Sequence, residues 1–259
     1  MVLDLNGQSF DTDAPESVFV NGDCMEYMRM FPDQYFDLAV VDPPYGINAN
    51  NFSNASNWQG HNQQDSAAKR AKNRLNQGAG KLKDSALQRM ACEWDATPPG
   101  KDYFDELFRV SRNQIVWGGN YFDLPPTRGI IVWDKEQPWE NFSQVELAWT
   151  SFDQPAALFR MGNAGQAGSK IHPTQKPIKL YQWIIGRYAK PGDIILDTHV
   201  GSASSLIAYH GAGHKYVGFE ILKDYYDTAN ERLQQAAAQT TIFDLMEPQG
   251  QQVTIFDYE

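Results

Sequence analysis

Four consecutive residues, Asp42-Pro43-Pro44-Tyr45, follow the apolar run Leu38-Ala39-Val40-Val41. They set a carboxylate and a backbone carbonyl, two hydrogen-bond acceptors, beside an aromatic face that can stack. Two such acceptors can receive the two N–H bonds of an amino group. The same residues also make an ordinary turn, because proline fixes φ and donates nothing to a strand ladder. By residue usage this tetrapeptide recurs by chance in on the order of one in several hundred chains of this length. Its surroundings must therefore decide between site and turn.

Three further acids close apolar stretches: Asp23 after "VFVNG", Asp197 after "IIL" and Glu220 after "YVGF". In an open parallel sheet, ligands gather at the carboxyl ends of the strands. Asp197 starts the turn "DTHVGSASS", where Gly201 admits close backbone approach and the following helix offers its amide terminus. Glu220 lies about 20 residues further on, where a carboxylate can accept both hydroxyls of a ribose. Asp23 is placed to take an adenine amino group. A nicotinamide enzyme would use the same geometry but needs G-x-G-x-x-G, and "GSASSL" supplies only its first glycine. S-adenosylmethionine (SAM), which needs no pyrophosphate cradle, fits better.

The elements that carry these residues follow from periodicity. Short apolar, β-branched runs at 17–20, 36–41, 114–119, 129–134, 144–150, 193–197 and 215–221 predict strands. Helical patterns fall at 24–31, 101–110, 178–189, 203–211 and 223–238. The alternation predicts an α/β fold with a mostly parallel sheet, helices on both faces and an antiparallel edge hairpin from the strands between 114 and 150. Trp117 reads as core, while Gly118-Gly119-Asn120 can face a cofactor or base.

Composition bounds the class. A chain of 259 residues suits one large domain with an insertion. No apolar run approaches the ~20 residues a bilayer requires, the first residues have no signal-peptide pattern, and Cys24 and Cys92 form no metal or disulfide framework. The chain reads as cytoplasmic. The net charge of −10 argues against a nucleic-acid coat. Yet residues 66–90 hold seven Lys or Arg against one acid, a local patch suited to a polyanion.

Four motifs together resemble the β group of amino-methylating DNA methyltransferases, SAM-dependent enzymes with a Rossmann-like fold. "DPPY" matches that family's catalytic motif, and "NGDCMEYM" is similar to the segment before it. "HPTQKP" (172–177) is similar to the motif lining the methionine end of the cofactor, and "ILDTHVGSASSLIAYHGAGHKYVGFEI" resembles the cofactor loop. The motif order, catalytic first and cofactor loop last, is that of the β group. The resemblance implies catalytic roles for Asp42, Pro43, Pro44 and Tyr45. It implies cofactor contacts for Asp23, Cys24, Asp42, His172, Thr174, Lys176, Asp197, Gly201, Ser202, Glu220 and Ile221, although His172 alone reads as structural. Lys176 either favours an anionic group near the site or caps a strand–helix junction.

Two departures stand out. His199 replaces the family's usual aromatic, and Ala203 replaces its second glycine, a position expected to open a helix without loss. Asp at the first motif position implies N6 of adenine in duplex DNA, reached by flipping the base out so that Tyr45 can stack on it. The alternatives are N4 of cytosine, an RNA or protein amide substrate, and an idle DNA-binding protein of the same fold.

Domain organisation reads as a catalytic domain over 1–238, a DNA-recognition insertion at about 48–92, and a tail over 239–259. Lys69, Arg70, Lys72 and Arg74 in the insertion are the candidate DNA contacts. In the tail Thr241-Ile242-Phe243-Asp244 recurs as Thr254-Ile255-Phe256-Asp257. Each copy resembles the Q-x-x-L-F peptides that dock on a sliding clamp; the alternative is a hairpin pairing the two copies. A homodimer is a further candidate assembly.

Overall fold

The structure is a computed structural model and describes residues 1–46, 97–137, 143–162 and 175–246, with backbone alone for 240–246. The insertion, His172, Thr174 and the second tail repeat lie outside the described residues.

The centre is an eight-stranded sheet. Its strands are β3 (Val18–Asn21), β4 (Phe36–Val41), β5 (Ser111–Trp117), β6 (Ile130–Asp134), β7 (Val145–Thr150), β8 (Ala157–Arg160), β9 (Ile194–Asp197) and β10 (Lys215–Glu220). Their spatial order is β3-β10-β9-β4-β5-β7-β6-β8. β7 alone runs against the others, pairing antiparallel with both β5 and β6. The expected antiparallel hairpin is therefore β6–β7, but it lies inside the sheet. The edge beyond it is β8, parallel to β6 and unforeseen.

Strand β4 shows why the sheet is covered on both sides. Five of its six residues are buried, the continuous apolar run of a central parallel strand. Leu38 and Val40 join one core with α3 (Ile178–Tyr188), α4 (Ser204–Gly211) and α5 (Lys223–Met246). Ala39 and Val41 join the other core, with α1 (Cys24–Met28) and α2 (Lys101–Val110). Helix α2 buries Tyr103, Phe104, Leu107 and Val110, a stripe at helical spacing, and leaves its charged residues outward. Among the described residues no helix is long and apolar enough to cross a membrane.

A two-stranded hairpin, β1 (Val2–Leu5) and β2 (Gln8–Asp11), was not expected from periodicity. Its turn residues Asn6 and Gly7 both have positive φ, 55° and 80°, as a two-residue hairpin turn requires. Leu3, Leu5 and Phe10 enter the second core. The side-chain amides of Asn6 and Gln8 donate to the carbonyls of Asn21 and Phe19 on edge strand β3.

Helix α5 continues to Met246, eight residues past the expected end. Residues 241–244 are helical, which overturns the reading of that first repeat as half of a hairpin. Ala203 also departs from expectation. It adopts φ +58° as it opens α4, a conformation that costs about 1 kcal/mol more for alanine than for glycine.

Candidate active site at the carboxyl rim of the sheet

Because β3, β10, β9 and β4 are mutually parallel, their carboxyl ends share one rim. From β4 the sheet grows one way to β5, and from β9 the other way to β10. The β9/β4 junction is thus the topological switch point, where doubly wound sheets bind ligands. Asp197 ends β9, Asp42 follows β4, Glu220 ends β10 and Asp23 follows β3 by two residues. The four acids singled out from the sequence come together on this rim.

Asp42 is held by two donors. Tyr45 OH donates to Oδ1 at 2.7 Å, and Lys176 Nζ donates to Oδ2 at 2.5 Å. A carboxylate oxygen has two lone-pair directions, so each oxygen keeps one for a further donor. Lys176, just before α3, is almost fully buried and also stands 3.2 Å from Glu146 Oε2 on β7. Glu146 in turn meets Lys135 after β6. The result is a row of alternating charge, Lys135–Glu146–Lys176–Asp42. Burial alone would lower the Lys176 pKa, but Asp42 and Glu146 outweigh it and hold the ammonium above its ordinary value. Burial likewise pushes Glu146 up, and the two lysines outweigh it, keeping the carboxyl below its usual range. Of the two roles open to Lys176, the geometry supports favouring an anion.

Tyr45 is fixed at its hydroxyl and covered on a face. Its ring stacks on Tyr121 at 5.0 Å with planes 15° apart, and Phe122 meets it edge-on. Gly118, at φ +68°, lies so close that an added Cβ would fall 2.3 Å from the ring. Glycine is required there for both conformation and space. Burial, then the facing Asp42 carboxylate, raises the Tyr45 phenol well above its ordinary value, so it acts as a donor. Trp117 is fully buried, as expected, with Lys176 Nζ 5.0 Å from its ring centroid.

The cofactor side is built around two carboxylates. Glu220 accepts from the amides of Gly201 (3.0 Å) and Leu222 (2.9 Å), one on each oxygen, so lone pairs remain for two hydroxyls. Burial raises its pKa. Next to it Ile221 is 61 % exposed, an apolar side chain offered to solvent where a flat ring could rest. These features fit a nucleoside: paired acceptors for ribose beside an apolar platform for its base.

Asp197 is buried and accepts from Ser205 Oγ and the His199 amide. Burial pushes it up to about 7. His199 shares Thr198 Oγ1 with Tyr103, and burial brings its pKa down to about 4. Asp23 N-caps α1 by accepting from the Met25 amide, while its side chain remains exposed on the rim. Cys24 is buried, which raises its thiol to about 12.

Not every candidate reaches the rim through its side chain. Ser202 is buried, its hydroxyl is shared with Ser204, and its carbonyl receives Arg232. It braces the loop against α5. His172, Thr174, Lys69, Arg70, Lys72 and Arg74 lie outside the described residues. Sequence reasoning missed Glu146, Lys135 and Tyr121. A glutamate inside the apolar run Val145–Thr150 was the available signal for the first. Gly118-Gly119-Asn120 pointed toward Tyr121 but stopped one residue short.

A family model described as DNA methylase, of the N6/N4 methyltransferase type, matches residues 36–231. A putative methylase of Escherichia coli K12, YubD, is 26% identical over 238 residues, spanning 84% of this chain and 90% of that protein. The type II methyltransferase M2.DpnII of Streptococcus pneumoniae is 22% identical over 249 residues, with 84% and 89% covered. Among solved structures, the PvuII DNA methyltransferase (cytosine-N4-specific) aligns with a TM-score of 0.51 at 14% identity. That alignment covers 88% of this chain and 93% of the other. At that identity the likeness speaks for the fold alone.

Proposed function

Because this chain belongs to the N6/N4 DNA methylase family, we propose that it transfers the methyl group of SAM to the N6 amino group of adenine in duplex DNA. The observation that carries the reading is Asp42 at the switch point, with one acceptor direction free on each oxygen. When bound, SAM would supply an electrophilic methyl on a sulfonium: as the new N–C bond forms the S–C bond breaks to leave a neutral thioether, and the amine gives up one proton to solvent.

An exocyclic amine is a poor nucleophile because its lone pair is delocalised into the ring. Asp42 accepts one of its N–H bonds and the Pro43 carbonyl accepts the other, turning the nitrogen toward tetrahedral geometry and freeing that lone pair. Tyr45 and Lys176 hold the carboxylate in place. Glu220 would receive the ribose hydroxyls, Ile221 would back the adenine and Asp23 would take its amino group. With both partners fixed, positioning supplies much of the acceleration. The target base must first leave the duplex, at a cost of a few kcal/mol.

The preference for adenine over cytosine rests on the motif beginning with Asp42, where the family's cytosine enzymes more often carry serine. Outside the described residues, we assign DNA phosphate contact to Lys69, Arg70, Lys72 and Arg74 on charge alone. Clamp docking, proposed from the tail repeat, rests on Gln252, Ile255 and Phe256, since the first copy lies in α5.

The test is labelled-methyl transfer to unmethylated duplex DNA followed by nucleoside analysis. N6-methyladenine is expected, and N4-methylcytosine would reassign the substrate. Asp42→Ala should bind SAM within a few-fold of wild type and lose transfer. Substantial turnover by that variant would sink the mechanism.

A further inference from the structure

Tyr45 was expected to offer an open face to a flipped base, but that face is stacked on Tyr121. The two rings differ in how they are held. Tyr45 is anchored by its hydroxyl to Asp42, pressed on by Gly118 and backed by Phe122. Tyr121 stands on a single 3-10 turn, Gly119–Tyr121, and is 47 % exposed. The turn itself is pinned: the Gly118 amide donates to Leu147, the Tyr121 amide donates to Gly118, and an added Cβ on Gly119 would meet Trp149 at 2.4 Å. The backbone of the turn is thus held, while the Tyr121 side chain stands toward solvent. A partly buried ring stacked on an exposed one, beside a hydrogen-bonding carboxylate, has the form of a closed clamp with nothing between its jaws.

We infer that Tyr121 is the second jaw of a base clamp, and that the target base is held between Tyr45 and Tyr121. The inference rests on the DNA methylase reading and deepens it. Ring centroids 5.0 Å apart leave no room for a third ring. A sandwich needs about 7 Å, two contacts at roughly 3.5 Å each. The two planes must part to that separation, and turning the exposed Tyr121 ring aside leaves the Tyr45–Asp42 hydrogen bond in place. Before DNA arrives, Tyr121 takes the base's place and shields the Tyr45 face from water. After the base arrives, it stacks on the opposite side.

The test compares duplexes that differ only in the target base. The methylated position is first mapped by sequencing DNA exposed to wild-type enzyme. Binding of Tyr121→Ala and Tyr121→Phe is then measured on a duplex with the intact target and on one with an abasic target. On the intact duplex the alanine variant should bind about 5- to 100-fold more weakly, the range that base–aromatic stacking supports. On the abasic duplex it should match wild type, because no base is present to sandwich. Phenylalanine should restore binding, and SAM affinity should not move. Equal losses on both duplexes, or none on either, would overturn the clamp while leaving the methyltransferase reading intact. A wild-type protein that methylates no DNA would overturn that reading and the clamp with it.

Discussion

The Lys176 ammonium lies 2.5 Å from the Asp42 carboxylate, although 134 residues separate them in the chain. Glu146 stands on its other side at 3.2 Å, and the lysine side chain is only 2 % exposed. One cation therefore keeps two carboxylates from facing each other unscreened. Breaking a buried ion pair from one side is costly, because it strands the remaining charge.

Lys176→Met should accordingly destabilise the protein by about 3 kcal/mol, the low end for such pairs because both carboxylates retain some solvent. Glu146→Gln in the same background should recover less than half of that loss, because it removes one unscreened carboxylate but leaves Lys135 without its partner. Methyl transfer should stay more than tenfold reduced in the double variant, since Asp42 still lacks its second donor. Urea unfolding of the four proteins in the cycle gives the coupling. Simple additivity would show that Lys176 does not join the two acids.

This row of charges also shows where sequence reading stops. Phe36–Val41 was legible because a doubly buried central strand is a continuous apolar run, and Asp42 followed directly from where it ended. Glu146 and Lys135 reach the site only because β7 reverses and lies between β5 and β6. Nothing local in "QVELAWT" encodes that pairing. The β1–β2 hairpin is a different kind of miss. Asn6-Gly7 is a strong turn signal, but β1 and β2 are only four residues each, too short for periodicity to stand out.

Glu220 serves both the loop and the ligand, so the substitution chosen matters. Glu220→Ala removes the acceptors of the Gly201 and Leu222 amides and should lower stability as well as SAM affinity. Glu220→Gln keeps one acceptor and loses the charge. Calorimetry should show SAM binding weakened at least tenfold in both variants, with the larger fall in melting temperature for alanine. Unchanged affinity in both would remove Glu220 from the cofactor site.

Two neighbouring groups in the cofactor loop titrate in opposite directions. His199 is depressed to about 4; its contribution is present above the unfolded value near 6.5 and is lost as pH falls toward 4. Asp197 is raised to about 7; its contribution is fullest below the unfolded value near 3.8 and is lost as pH rises toward 7. Between pH 4 and 6.5 the two slopes oppose and flatten the wild-type profile. His199→Phe should uncover Asp197, giving stability that rises on acidification through this window. Asp197→Asn should uncover His199, giving stability that falls. Unfolding free energies at four or five pH values decide; parallel profiles for all three proteins would show that neither group is perturbed by its burial.

The hairpin at the start of the chain makes a prediction about association. β3 is an edge strand, and its outward carbonyls at Phe19 and Asn21 are met by the amides of Gln8 and Asn6. Side chains that occupy an edge in this way deny it to a strand from another molecule. Asn6→Gly preserves the left-handed turn that φ 55° demands while removing the amide. Gln8→Ala removes the second amide without touching the hairpin ladder, which uses backbone groups. The double variant should lose about 1–2 kcal/mol, roughly one net hydrogen bond at each site. The loss at Phe19 should be the smaller, because Tyr226 OH also donates to that carbonyl at 3.4 Å. More tellingly, it should self-associate at concentrations where wild type does not, seen as a concentration-dependent rise in sedimentation coefficient. A double variant that sediments like wild type at every concentration would show that the two amides stabilise the hairpin but do not guard the edge.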